Sequence, residues 1–276
     1  MKARRIAAVA MAVSVAFALT ACGSDDDGGD SGGGDTIKIG IKFDQPGLGL
    51  KEGSKYTGFD VDVATYIAEK MGYDEGDIKW VQAPSPQRET MLETGQVDMI
   101  VATYSITDER KEKVGFAGPY FIAGQDLLIR ADDSSIKSVD DLDGKKLCSV
   151  SGSTSAQNVK DKVAGVNLQE FKTYSECLPA LVSGAIDALT TDDTILAGYA
   201  SQESYKGKLK VVGQPFSEEN YGVGLKKGDS EMCTKVTDAI TSMIDDGTWE
   251  KLVAANFGES GFTPGEGNPP TPAACA

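Results

Sequence analysis

Histidine does not occur anywhere in the 276 residues. Its absence removes the commonest general base and the commonest zinc ligand together, so hydrolytic chemistry would fall to carboxylates alone. Basic charge is scarce as well. Removal of Lys2, Arg4 and Arg5 with an amino-terminal leader leaves 24 basic residues against 42 acidic ones, a formal charge of −18. Such a surface repels nucleic acid, and no nucleic-acid partner is expected. Cysteine is limited to five positions, none spaced like a metal site. No metal, cofactor or catalytic residue is expected.

The chain starts with an address. Lys2, Arg4 and Arg5 precede an apolar run over residues 6–19, which closes on Leu19-Thr20-Ala21-Cys22, the pattern of a bacterial secretory signal ending in a lipobox. The run is too short to span a bilayer as a mature helix. Residues 1–21 are expected to be removed, and the thiol of Cys22 to carry a diacylglycerol anchor. Residues 23–35 are Gly, Ser and Asp with no apolar residue, the composition of a flexible tether. The domain is thus expected lipid-anchored at the extracellular face of the cell membrane. In an exported protein the four remaining cysteines predict disulfides. Of the three connectivities, Cys148 with Cys177 and Cys233 with Cys275 is favoured, because each pair then lies within one region.

Strand and helix patterns alternate thereafter. Ile37, Ile39 and Ile41 predict a strand over 36–43; Asp60 is expected to cap a helix carrying Val63, Ile67 and Met71 on one face. A strand over 77–81 and a helix over 86–94, bounded by Pro86 and Gly95, come next. Met99-Ile100-Val101-Ala102 reads as a buried strand, and residues 125–130 as another. The pattern then repeats: strands over 146–150, 166–171, 186–190, 208–212 and 221–225, and helices over 156–163, from Ser175 to before Gly184, from Asp192 to Ala200, and over 229–244 and 248–257. The Gly- and Pro-rich segment 258–276 reads as a tail held by Cys275. The fold class is α/β.

Chemistry gathers after the Met99 strand. Thr103 and Ser105 emerge at the carboxyl end expected of that strand, where open α/β sheets bind small molecules. Thr107 is placed to cap a short helix, and Arg110 one turn on offers a rigid donor fork that matches a carboxylate. An arginine on a polar surface turn is the competing reading. Gly152-Ser153-Thr154-Ser155 before a helix presents backbone N–H groups to an anion, as many turns do. Asp192, past the end of a strand, either receives an ammonium or caps the next helix.

Gly58-Phe59-Asp60-Val61-Asp62-Val63 with Ile67, Ala68 and Met71 resembles the signature of the family 3 extracellular solute-binding proteins, the polar amino acid receptors of ABC importers. The resemblance continues through Ser105-Ile106-Thr107-Asp108-Glu109-Arg110, Phe116-Ala117-Gly118-Pro119-Tyr120, Gly152-Ser153-Thr154 and Thr190-Thr191-Asp192-Asp193. Ile39-Gly40-Ile41-Lys42-Phe43-Asp44-Gln45-Pro46-Gly47 is most similar to glutamate-binding lipoproteins of high-G+C Gram-positive bacteria. The resemblance implies a two-lobed, periplasmic-binding-protein-like (type II) fold, each lobe a mostly parallel sheet flanked by helices, joined by a two-strand hinge. Lobe 1 would comprise 36–124 and 217–276, lobe 2 would comprise 125–216, and the hinges would lie near 125–127 and 214–216.

The resemblance further implies a site. Arg110, helped by Ser105 and backbone N–H groups around Thr154, would grip an α-carboxylate; Asp192, assisted by Thr103, would take the α-ammonium. Lys42 stands where receptors for basic amino acids carry an acid, and Arg88 opens a helix whose counterpart in glutamate and aspartate receptors supplies an arginine. With Ser85 adding a hydroxyl, these two cations imply an acidic side chain, against the alternative of a solvated strand end and helix face. Gln45 and Ser85 stand where many members place aromatic rings. The implied ligand is L-glutamate, with aspartate or glutamine the neighbouring alternatives, and the implied partners are an ABC importer permease and its ATPase. A monomer is expected. A cyclohexadienyl dehydratase-like enzyme shares this architecture but needs a poised acid, which does not stand out once Asp192 is assigned. A sensor that reports occupancy to a membrane partner would look the same in sequence.

Overall fold

The computed structural model describes residues 36–275; the leader, Cys22 and the whole tether 23–35 lie outside the described residues. Ile37, Ile39 and Ile41 are all buried in β1 (Ile37–Ile41). Three short strands, β2 (Asp44–Gln45), β3 (Gly49–Glu52) and β4 (Lys55–Thr57), then form a small antiparallel sheet that the sequence pattern did not anticipate. Strands of two to four residues are too short to carry a period of two.

α1 (Phe59–Lys70) follows, and Asp60 is not its cap. Gly58 holds the N-cap position with φ of 118°, where a Cβ would lie 2.2 Å from the Leu48 carbonyl oxygen. The helix therefore starts earlier than expected, and Asp60 turns inward from its first turn, fully buried. β5 (Ile78–Gln82), α2 (Arg88–Glu93), entered through a 3₁₀ turn at Ser85–Gln87, and the two-residue β6 (Met99–Ile100) complete the first run. Thr107 caps α3 (Asp108–Lys111), its hydroxyl accepting from the Arg110 amide at 3.2 Å.

β7 (Val114–Ala123) is the longest strand, although Gly115, Gly118 and Pro119 disguise it as a loop. β8 (Gln125–Arg130), β9 (Lys146–Val150), α4 (Thr154–Lys162), β10 (Asn167–Phe171), α5 (Cys177–Val182), β11 (Ala188–Asp192), α6 (Asp193–Ser201) and β12 (Leu209–Val211) build the second half. The helix expected to be capped by Ser175 is entered instead through a 3₁₀ turn capped by Thr173, whose partner in the capping box is Glu176. β13 (Glu219–Lys226), α7 (Ser230–Asp245) and α8 (Thr248–Phe257) return to the first half.

Two five-stranded sheets result, ordered β5-β1-β6-β13-β7 and β10-β9-β11-β8-β12. Both are mixed: β1 is parallel to β5 and β6, and β9 to β10 and β11, while β13 and β8 run antiparallel to their neighbours. The chain changes sheet at Gly124 and again between Val211 and Glu219. The two crossing segments are bonded to each other, Phe216 N donating to Gln125 O at 2.9 Å and Val212 N to Leu127 O at 2.9 Å. An aromatic cluster of Phe59, Phe121, Trp249 and Phe257 fixes α1 and α8 against the first sheet. Cys148 is bonded to Cys177 and Cys233 to Cys275.

Candidate functional site

The lobes meet along the carboxyl ends of β1, β6, β9 and β11, the edge at which helical amides and strand-end side chains face outward from an α/β sheet. Just after β6, Thr103 takes φ of 45°, a left-handed conformation that a β-branched residue rarely adopts. Its amide donates to Asp60 Oδ2 at 2.8 Å, and Tyr120 Oη donates to the other carboxylate oxygen at 2.7 Å. Burial still pushes the Asp60 carboxyl up to about 6 against those bonds. The strain at Thr103 is thereby held by a buried anion, as strained backbone at ligand clamps commonly is. The Thr103 hydroxyl donates to the Ala102 carbonyl at 2.8 Å, with Gln45 Oε1 3.3 Å away.

Arg110 is buried rather than on a surface turn. Its Nη1 donates to the Ser105 carbonyl at 2.7 Å, its Nη2 to the Gly152 carbonyl of the opposite lobe at 3.2 Å, and its Nε lies 3.5 Å from Glu89 Oε1. Two of the five guanidinium N–H groups are left for a ligand. Ser105 Oγ lies 3.4 Å from Thr154 Oγ1. Thr154 begins α4 behind its cap Ser153, so its N–H and that of Ser155 belong to the first turn, where helical amides have no intrahelical partner.

Lys42 and Arg88 are 6% and 2% exposed, so neither is a solvated strand end or helix face. Lys42 Nζ donates to Ser85 Oγ at 2.7 Å; Arg88 Nη1 donates to the Ala102 carbonyl at 3.1 Å, and its Nε is buried with no partner. Among the described residues neither cation has a carboxylate within 4.0 Å. Burial and the neighbouring Arg88 hold the Lys42 ammonium well below its usual range; burial and Arg110 bring Arg88 down to about 10.

Asp192 shows the opposite imbalance. It ends β11 at the start of α6 but makes no side-chain cap, and no cation lies within 4.0 Å of it among the described residues. Tyr221 Oη donates to its Oδ2 at 2.6 Å and Ser155 Oγ to its Oδ1 at 3.4 Å. Burial, then the Glu219 carboxylate, pushes the Asp192 carboxyl up to about 8. Lys42 and Arg88 without a carboxylate, Arg110 with donors to spare and Asp192 without a cation are together complementary to a molecule with two carboxylates and one ammonium. Desolvated charges of this kind are costly until matched.

Sequence reasoning named Lys42, Ser85, Arg88, Thr103, Ser105, Arg110, Thr154 and Asp192; of these Ser85, Arg110 and Thr154 line one cleft, Ser105 touches Thr154, Asp192 is bonded to Tyr221, and Lys42 lines a smaller cavity with Val150 and Tyr174. Ser85 and Lys42 form one pair, Ser105, Arg110 and Thr154 one group, and Asp192 stands with Ser155. Thr103 is bonded to Asp60 and Ala102. Tyr104, Glu89, Glu219 and Tyr221 were missed, and Ser155 was read only as part of an anion-binding turn, without its hydroxyl contact to Asp192. Tyr221, next to Gly222-Val223-Gly224-Leu225, looks like core, Tyr104 between Thr103 and Ser105 carries no charge to mark it, and a buried Glu219, accepting from Thr154 Oγ1 at 2.9 Å and Asn158 Nδ2 at 3.1 Å across the lobes, carries no local signal.

The profile described as bacterial extracellular solute-binding proteins, family 3, matches residues 37–259. The glutamate-binding protein GluB of Corynebacterium glutamicum is 48% identical over 286 residues, covering 96% of this chain and 94% of that protein. The ABC transporter glutamine-binding protein GlnH of Bacillus subtilis is 38% identical over 249 residues, covering 85% of this chain and 90% of that protein. Among solved structures, an ancestral arginine-binding protein bound to glutamine has a TM-score of 0.75 at 37% identity, covering 81% of this chain and 98% of that one.

Proposed function

The chain belongs to the bacterial extracellular solute-binding proteins, family 3, and we propose that it captures L-glutamate outside the cell and delivers it to the permease of an ABC importer. The ligand is bound and released unchanged. The observation that carries the choice of ligand is the charge imbalance at the lobe boundary. Lys42 and Arg88 are buried cations without a carboxylate, and Asp192 is a buried carboxylate without a cation.

In this reading Arg110, Ser105 and the amides around Thr154 hold the α-carboxylate, Asp192 and Thr103 the α-ammonium, and Lys42, Arg88 and Ser85 the side-chain carboxylate. Glutamine would leave part of the Lys42 and Arg88 charge uncompensated, which separates this chain from a glutamine receptor. Residues 36–124 with 217–276 and residues 125–216 act as the two closing lobes, with the crossing segments 125–127 and 214–216 absorbing the dihedral change. Cys22 carries the lipid that retains the protein at the membrane, through the tether 23–35.

Calorimetric titration of ligand-freed protein with glutamate, aspartate, glutamine and arginine tests the ligand. Glutamate binding tightest supports the reading, and tighter glutamine or arginine binding rejects it. Cys22→Ser tests the anchor: a released, still ligand-competent protein is expected, and unchanged membrane retention rejects it.

A further inference from the structure

Tyr104 lies between Arg88 and Arg110, the residues read above as serving the two ends of the ligand. Its side chain is fully buried, and both guanidiniums lie over its ring: Arg88 Cζ is 4.0 Å from the ring centroid and Arg110 Cζ is 4.9 Å from it. The negative face of an aromatic ring attracts cations, most strongly where water is excluded.

The ring is held from several directions. Tyr104 Oη donates to Glu89 Oε1 at 2.7 Å, the same oxygen that lies 3.5 Å from Arg110 Nε. Phe116 meets the ring edge-on, with centroids 4.9 Å apart and planes at 63°. On β13, Gly224 leaves the slot open, since a Cβ there would lie 2.7 and 2.9 Å from two Tyr104 ring carbons. Two buried guanidiniums in one neighbourhood repel each other. A π face shared by both, with one carboxylate bridging the phenol and Arg110, offsets that repulsion without using the donors a ligand needs. Arg88 Nε remains unpartnered.

We propose that Tyr104 is a specificity-determining positioning residue, whose ring sets the spacing of the Arg88 and Arg110 guanidiniums so that one ligand with two carboxylates meets both. This rests on the reading of the chain as an acidic amino acid receptor. A residue that merely filled the core would weaken every ligand alike. Tyr104 is expected to act on the Arg88 end and so to move the preference for glutamate over glutamine.

The test is calorimetric titration of the full mature chain and its Tyr104→Phe and Tyr104→Leu variants with glutamate and glutamine. Tyr104→Phe keeps the π face and is expected to hold the glutamate-to-glutamine affinity ratio within about twofold; Tyr104→Leu is expected to lower it about tenfold. Equal weakening of both ligands in Tyr104→Leu, or an unchanged ratio, overturns the proposal. If Tyr104→Leu shows no cooperative melting transition, Glu89→Gln replaces it, because it loosens the phenol while keeping ring and volume. A fall of about threefold in the ratio then supports the proposal, and no fall overturns it. Failure of the wild type to bind glutamate would reject the underlying reading and the proposal together, and the wild-type titration distinguishes that result from a failure at Tyr104 alone.

Discussion

Tyr221 and Asp192 face each other across the two lobes, the phenol on β13 donating to Asp192 Oδ2 at 2.6 Å while Thr194 Oγ1 lies 3.0 Å from the same phenolic oxygen. This is the short bond that favours an ionised Asp192 against its burial. A hydrogen bond to a charged group contributes about 1.5–3 kcal/mol. Tyr221→Phe should therefore weaken every amino acid ligand by about tenfold or more, and leave the ratio of glutamate to glutamine unchanged. Calorimetry on both ligands checks this; unaltered affinities would remove Asp192 as the ammonium site.

The same carboxylate makes stability depend on pH. Burial, together with Glu219, raises Asp192 from the usual 3.8 to about 8, so between those values the folded chain keeps a proton that the unfolded chain gives up. Stability falls with rising pH wherever the native state binds more protons. The Asp192 contribution is full below pH 3.8 and is lost as pH rises through about 8. Lys42, whose ammonium burial holds low, works in the opposite direction at higher pH, but it is common to both proteins compared. Urea unfolding of ligand-free wild type and Asp192→Asn at pH 5 and 7.5 should show the wild type losing more stability over that interval. Equal losses would mean that Asp192 ionises normally.

Much of this site was legible because its parts obey local rules. Thr107 and Arg110 sit at fixed offsets from a helix start, and β1 alternates Ile37, Ile39 and Ile41 with smaller or polar residues. Asp60 was misread because an acid after Gly-Phe looks like an N-cap; only the approach of the Leu48 carbonyl reveals that Gly58 must take that place. The long β7 escaped because Gly118 and Pro119 break the residue pattern while the ladder to β13 holds on both sides of the break, from Val114 to Ala117 and from Phe121 to Ala123. Tyr104, Tyr221 and Glu219 contribute through contacts between distant segments, which no spacing along the chain encodes.

The carboxyl-terminal tail closes the open edge of the first sheet. Asn268 bonds both polar groups of the Ile122 backbone, at 3.0 and 2.8 Å, and Ala273 N donates to the Gly118 carbonyl at 2.8 Å, so β7 is covered where it would otherwise present unpaired backbone. Cys275 ties this segment to Cys233 on α7. Paired Cys233→Ser and Cys275→Ser substitutions should cost about 2–4 kcal/mol of stability and increase self-association, read by urea unfolding and light scattering. Glutamate affinity should stay within about twofold of wild type, since a merely loosened tail shifts a binding equilibrium by less than the roughly 1.4 kcal/mol of a tenfold change. A large loss of affinity would tie the tail to the site.

Lys42 and Arg88 provide the sharpest division between the two ends of the ligand. Both are buried without a carboxylate; Arg88 lowers the hold of Lys42 on its proton and Arg110 lowers that of Arg88, so a second negative charge on the ligand relieves a repulsion already present in the protein. A neutral amide offers a dipole in place of that charge. Lys42→Met and Arg88→Met should each weaken glutamate by about tenfold or more, on the scale of a lost charged hydrogen bond. Each should weaken glutamine less, and Lys42→Met should improve it where relief from repulsion outweighs the lost contact. Arg110→Ala should instead weaken both ligands together, because the α-carboxylate is common to both. Titrating all three variants with both ligands reads the pattern directly. If Lys42→Met and Arg88→Met left the glutamate-to-glutamine ratio where it was, the side-chain carboxylate would have to be read elsewhere, while Arg110 and Asp192 could still serve the α-centre.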